Sequence, residues 1–127
     1  MHATEIMQRF NPHVLAGEDN QQQIFIEDWK DADSRWYRLE YRCQLDGRGA
    51  SGWLLHNPWG TNPYSYEQSH LAGDGFICVA DAASRENSPY DLDFVVRRAR
   101  FWCTGYSYLR EQGYAQTCRD VPEWGGG

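Results

Sequence analysis

The sharpest periodicity in the chain lies between residues 36 and 45. Tyr37, Leu39, Tyr41, Cys43 and Leu45 alternate with Trp36, Arg38, Glu40, Arg42 and Gln44, so one face is apolar and the other mostly charged. A period of two is the pattern of a half-buried strand. Asp46-Gly47-Arg48-Gly49 then marks a turn, and Ser51–His56 supplies the partner strand. Upstream, the short apolar run Ile24-Phe25-Ile26 predicts an earlier strand. Residues 1–23 are polar and weakly patterned, with room for one short helix around Thr4–Phe10 that stops before Pro12.

The pattern lapses from Asn57 to Tyr66, where Pro58, Gly60 and Pro63 punctuate an aromatic loop. Gly75-Phe76-Ile77-Cys78-Val79-Ala80 follows as a compact extended segment, and residues 81–87 form a polar loop. The last element is a helix. Ser88 suits the N-cap, Pro89 the first helical position, and Asp91 stands three residues after the cap. Leu92, Val95, Val96, Ala99, Trp102, Cys103, Tyr106 and Leu109 then share one face. Gly113 ends the helix. Gly105 inside it costs about 1 kcal/mol against alanine, which marks close packing or a kink. The expected fold is α+β: an antiparallel meander of three to four strands packed with helices.

Composition fits one globular domain. The 127 residues are 41% hydrophobic and include six Trp and eight Tyr, enough to fill a core without staples. The expected division is a polar segment 1–23, a core from about 24 to 113 and a tail 114–127. No apolar run approaches the roughly 20 residues that span a bilayer. The start, MHATEIMQRF, lacks a basic region followed by an apolar stretch, so the expected compartment is the cytoplasm and no membrane partner is expected. A net charge of −6 is unsuited to a phosphate backbone. Arg97, Arg98 and Arg100 cluster, but on a helix they make a polar stripe, not a groove, and no nucleic-acid partner is expected.

Chemistry turns on the cysteines, at 43, 78, 103 and 118. No CxxC pair is present, so a zinc site is not expected, and no metal or cofactor is called for. A disulfide framework is not expected either. Cys43 and Cys103 fall on apolar faces and suit small core hydrophobes; Cys118 lies in the polar tail. Cys78 differs, because it closes a short apolar stretch that follows Gly75 and precedes a polar loop. A nucleophilic cysteine needs access and a stabilised thiolate, and a strand end supplies access. The same residues would also suit a plain buried strand. All four histidines, at 2, 13, 56 and 70, precede Cys78, which is the reverse of the papain-like order; a circularly permuted Cys–His hydrolase using His56 or His70 remains open. Lys30 is the only lysine among twelve basic residues. A GC-rich genome explains this, and a lysine-reactive thioester would also gain from it.

His70 followed by Gly75-Phe76-Ile77-Cys78 resembles the signature of ubiquitin-conjugating enzymes, a histidine, a spacer and Gly-x-Ile/Leu-Cys. Asn62-Pro63-Tyr64 resembles the segment that precedes it. The late helix with Phe101, Trp102, Tyr106 and Tyr108 is similar to that of bacterial relatives in ubiquitin-like conjugation operons. The resemblance covers roughly residues 24–113. It departs from the family at His70-Leu71-Ala72, which replaces His-Pro-Asn and removes an asparagine that stabilises the oxyanion in aminolysis. The His70–Cys78 spacing is also shorter, and the N-terminal helix that docks the activating enzyme is weak.

The resemblance implies that Cys78 accepts a ubiquitin-like protein from an activating enzyme by transthiolation and passes it to a protein target. Asp74 and Asp81, flanking the cysteine, become candidates to take the amine's proton, although both also suit solvated loop acids. His70 is expected to brace the loop. Asn62 and Asn87 are candidate oxyanion donors. A second expectation comes from the end of the chain. Gly125-Gly126-Gly127 would suit a ubiquitin-like modifier, but Tyr114–Trp124 contains Pro122 and lacks the alternation of the strand such a modifier needs. A frayed terminus and a non-catalytic scaffold with a degenerate conjugating fold are the remaining alternatives.

Overall fold

The structure is a computed structural model that describes residues 1–80 and 85–112. It is α+β, with a four-stranded antiparallel sheet in the order β1-β2-β3-β4 and helices before and after it. Helix α1 spans Ala3–Phe10, β1 Leu15–Asp19, β2 Gln22–Lys30, β3 Trp36–Gln44 and β4 Ser51–His56. A single-turn α2, Tyr66–Ser69, and the long α3, Leu92–Gln112, complete it. Among the described residues no helix is long and apolar enough to cross a membrane.

Strand β3 forms as its alternation requires. Tyr37, Leu39, Tyr41 and Cys43 are fully buried, while Arg38 on the other face pairs with Asp28 directly across the β2–β3 ladder at 2.7 and 3.0 Å. Leu45 departs from that pattern and is 41% exposed, because the strand ends at Gln44 and the turn begins. Its carbonyl instead accepts the Ala3 N–H at 2.8 Å, which satisfies one of the orphan donors at the start of α1. Strand β1 had no counterpart in the hydrophobic pattern. All five of its residues are exposed, so no face carries a signal, and it is held by its ladder to β2 through the Asn20-Gln21 turn, both residues of which have positive φ.

Helix α3 lies across β3 and β4 and packs against α1. Val95, Val96, Ala99, Trp102, Cys103, Tyr106 and Leu109 are completely buried on its inner face. Gly52 of β4 permits the approach, since a Cβ there would lie 3.4 Å from Val95 and 3.6 Å from Ala99. The helix begins at Leu92, three residues later than the start expected at Pro89. Asp91 Oδ1 accepts the Phe94 N–H at 3.0 Å, whereas Ser88 accepts from Tyr90 in a local turn. The β3–β4 turn holds the residues before the helix: Ala50 N–H bonds to Tyr90 O, and the N–H of Leu92, the first helical residue, to Gly47 O.

The arginine stripe is also divided by the fold. Arg97 makes an exposed pair with Asp93, Arg98 donates to Val79 O, and Arg100 turns inward to Glu27. Glu27 is 1% exposed. Its carboxylate accepts from Arg100 Nε at 3.0 Å, Arg100 Nη2 at 2.8 Å, Tyr41 OH at 2.6 Å and Asn11 Nδ2 at 3.2 Å. Burial alone would lower the Arg100 pKa. The bonds to Glu27 and its charge outweigh that, and the pKa is raised. A second buried acid, Asp31, accepts from Ser107 Oγ at 2.7 Å and from the Asp33 and Arg35 N–H groups at 2.9 Å. Ser107 in turn bonds the buried Tyr37 hydroxyl at 2.6 Å.

Two stability predictions follow from these acids. Glu27→Ala leaves Arg100 charged and half-buried without its partner, and should cost about 3–5 kcal/mol in denaturant unfolding. The double replacement Glu27→Met with Arg100→Leu should recover most of that loss, because no charge is then stranded. For Asp31, burial raises the pKa, but the donors from Arg35, Ser107 and Asp33 outweigh it and hold the group below its ordinary 3.8. An acid with a depressed folded pKa stabilises above its unfolded pKa and loses that contribution as pH falls through the folded value. Asp31→Asn should therefore destabilise at neutral pH. Thermal melts should show the gap to wild type closing only below the ordinary carboxylate range.

Candidate functional site

The loop from Asn57 to His70 is anchored on the aromatic face of α3. Trp102 Nε1 donates to Ser69 O at 2.7 Å, Tyr106 OH to Asn62 Oδ1 at 3.2 Å and Tyr64 OH to Leu109 O at 3.4 Å. Trp102 and Tyr106 stack at 4.9 Å, and the Tyr37, Trp59 and Tyr64 rings meet this pair edge-on or tilted. Ser69 is wholly buried and acts as the hub. Its hydroxyl donates to Ser65 O at 2.9 Å and accepts from Asn62 Nδ2 at 3.2 Å. Ser65 and Gln68 form a reciprocal capping box that starts α2 at Tyr66, and His70 ends it with φ +55°.

From His70 the chain makes a narrow hairpin along the free edge of β4. Leu71 bridges Ile77, and Ala72 N–H bonds to Phe76 O at 2.9 Å. Phe76 bridges Trp53, with Leu54 N–H bonded to Gly75 O and Ile77 N–H to Gly52 O. The expected extended segment is thus a minimal addition to the sheet. Gly75 is required by position: its φ is +96°, and a Cβ would lie 2.8 Å from Leu54 O. Cys78 follows, with its N–H donating to His70 O at 2.9 Å.

The structure sorts the cysteines. Cys43 and Cys103 have no exposed surface, and burial pushes the Cys43 thiol up to about 12 and raises Cys103 well above its usual value. Cys78 is partly exposed. Its thiol donates to Ala80 O at 3.6 Å. Burial first, then the neighbouring Cys78, push the Tyr66 phenol up to about 12.

The other candidates are placed as follows. His70 sits in αL backbone, its carbonyl holding Cys78 and its ring tilted against Tyr66 at 6.3 Å. Asp74, at the hairpin turn, is gripped by Arg85 through bonds of 2.8 and 2.7 Å and caps Phe76 N–H. The Arg85 bond is the main reason its carboxyl lies below the usual range. Arg85 also lies over the Phe76 ring at 5.1 Å. Asn62 is committed to Ser69, Tyr64 and Tyr106. Asn87 is exposed and lines a separate groove with Gln22, Gln44 and Arg48. Asp81, Cys118, Gly113 and the terminal glycines lie outside the described residues.

Tyr66 was not among the candidates from sequence. It stands twelve positions before Cys78, and the one local signal was the Ser65-x-x-Gln68 capping box that fixes its helix. Beside it, Tyr66, Leu71, Ala72, Gly73 and Asp74 line a groove of about 530 Å³ that runs to Leu54 and Asn57. Among the described residues no three His, Cys, Asp or Glu side chains converge as a metal site would require. Comparison with known proteins finds no matching family model, no matching curated protein and no matching solved structure.

Thiol access gives a direct prediction. Brief treatment of the folded protein with iodoacetamide should alkylate Cys78 and spare Cys43 and Cys103, which should react only after denaturation. Peptide mass mapping of the two samples checks it.

Proposed function

We propose that the protein is a carrier enzyme. It accepts a ubiquitin-like protein from an activating enzyme as a thioester on Cys78 and transfers it to a protein target. The observation that carries this reading is the place of Cys78. It is the solvent-reaching thiol among the described cysteines, and it ends a hairpin laid on the last strand of a four-stranded antiparallel meander. A helix precedes the meander and a long helix follows the cysteine. That order of elements supports a ubiquitin-conjugating-enzyme-like fold, and the short His70–Cys78 motif supports the same class.

The chemistry asked of the site is modest. In loading, Cys78 Sγ attacks the thioester carbonyl, a new C–S bond forms, and the activating enzyme's cysteine leaves as its thiolate. Thioester exchange is nearly balanced and needs an accessible thiolate more than a strong oxyanion hole. Discharge onto an amine demands more, since the amine must lose a proton. Asp74, held low by Arg85, is a weak acceptor for it. Asp81 is the better-placed carboxylate by sequence. Ala72 cannot replace the amide donor that the family carries at the corresponding place.

The test uses the protein with an activating enzyme, ATP and a Gly-ended modifier. A nonreducing gel should show a thiol-sensitive adduct that Cys78→Ser abolishes or converts to a slower-forming, stable oxyester. Discharge is then followed by a lysine chase after pulse loading. It should be slow in wild type and slower still in Asp81→Asn, within the roughly 10²–10⁴-fold span of general-base effects. Asp74→Asn should do less. An adduct lost in Cys118→Ser and kept in Cys78→Ser would place the chemistry elsewhere.

A further inference from the structure

We propose that the sheet face turned away from α3 is an interface at which two copies of this chain pair about a two-fold axis, with Trp36 as its anchor and Asp28 of each copy meeting Arg38 of the other. The pairing does not depend on what Cys78 carries.

The face follows from strand alternation. Tyr37, Leu39, Tyr41 and Cys43 turn inward to the core that α3 covers. Trp36 and Arg38 turn the other way, beside Lys30 and Asp28 of β2. Trp36 is 53% exposed there, Leu55 48% and Leu15 65%. Single exposed apolar residues are ordinary, but these line one continuous surface. Two grooves flank a ridge made by Trp36, Asp28 and Arg38. One, of about 500 Å³, runs between the ridge and Leu55 and His56. The other, of about 240 Å³, runs between it and Leu15, Ile26 and His13. The larger groove is of a size that takes drug-sized ligands, so it has room for an indole ring.

Charge and shape both favour a second copy as the occupant. The chain carries a net charge of −6, so two copies repel over most of their surfaces. On the ridge the charges cancel, because Arg38 Nε and Nη2 grip Asp28 at 2.7 and 3.0 Å. Lys30 stands at the rim, over the Trp36 ring at 5.4 Å. The pair is half-exposed and leaves guanidinium N–H groups and carboxylate lone pairs for further bonds. An ion pair lying on a surface is complemented by the same pair turned through a half-circle, which sets each Arg38 against the other copy's carboxylate. A ridge between grooves likewise receives its own image. Isologous contacts require this self-complementarity. A strongly charged partner gains little from a pair already neutralised. Four strands spaced about 4.8 Å apart and about 30 Å long at most present roughly 570 Å² of plane. Side-chain relief brings that toward the roughly 800 Å² per partner of a standard interface, so the dimer should be of about micromolar strength. Cys78 lines neither groove, and pairing leaves it accessible.

The experiment is sedimentation velocity of the full chain in reducing buffer, which excludes disulfide dimers, at concentrations from about 1 to about 200 μM, either side of the expected dissociation constant. Wild type should pass from monomer to dimer. Trp36→Ser should weaken pairing about ten-fold or more, the scale of a buried aromatic anchor. Asp28→Lys and Arg38→Glu should each do the same, since each sets like charges across the axis. Mixed in equal amounts, these two variants should pair again, which loss of the bond within one chain does not predict. An exposed ion pair adds little to stability, so both should fold. Circular dichroism checks this, and Leu55→Ser, with the same expected loss of pairing, serves if either fails. As a control, Asp93→Lys and Arg97→Glu, at an exposed pair on α3, should each leave the wild-type equilibrium unchanged. A wild type that stays monomeric throughout, a dimer indifferent to Trp36→Ser, or a folded mixture of Asp28→Lys and Arg38→Glu that does not pair would each overturn the inference.

Discussion

A carboxylate with almost no exposure holds this fold together. Glu27 receives four donors from two elements and the end of α1: Arg100 twice from α3, Tyr41 from β3 and Asn11 after α1. Removing two charges from water costs several kcal/mol per ion, which only good geometry and full hydrogen bonding offset. Both conditions are met here, and meeting them fixes where α3 crosses the sheet. An apolar core alone would tolerate some sliding of a helix along a pleated surface. A buried, saturated carboxylate does not.

That constraint reaches the candidate site through the same helix. With Arg100 locked to β2, Trp102 and Tyr106 present their polar atoms to the loop after β4. Ser69 collects the indole bond and passes it to Ser65, Asn62 and Leu71 through its hydroxyl. Tyr66, His70 and the Cys78 hairpin inherit their positions from this hub. The candidate site is therefore loop-borne yet tied at each step to buried atoms, an arrangement that would hold the neighbours of a reactive thiol fixed.

The sequence was most legible where one face is apolar and the other polar. Strand β3 and the buried stripe of α3 follow from period alone, and β4 from the turn at 46–49 that precedes it. It was least legible where burial and polarity part company. The inner face of β2 is Gln23, Phe25 and Glu27, while Ile24 and Ile26 point to the half-exposed side, so the buried acid hides inside an apparently apolar run. Strand β1 buries neither face. The cap of α3 moved from Ser88 to Asp91 because a distant turn competes for the same backbone groups. The approach of Tyr66 to Cys78 escaped it for a similar reason: two backbone bonds through His70 bring them near each other, and no local pattern encodes that.

The same logic bounds the functional account. A thiol can be singled out by exposure, but any group it carries must be read from the bond it forms. The most direct measurement is tandem mass spectrometry of the Cys78 peptide from protein isolated under acidic, nonreducing conditions from cells that make it. The account predicts a C-terminal glycine remnant of a second protein joined through Cys78 Sγ and released by added thiol. An unmodified Cys78 in a preparation whose remnant is found on Lys30 or on Cys118 would contradict it.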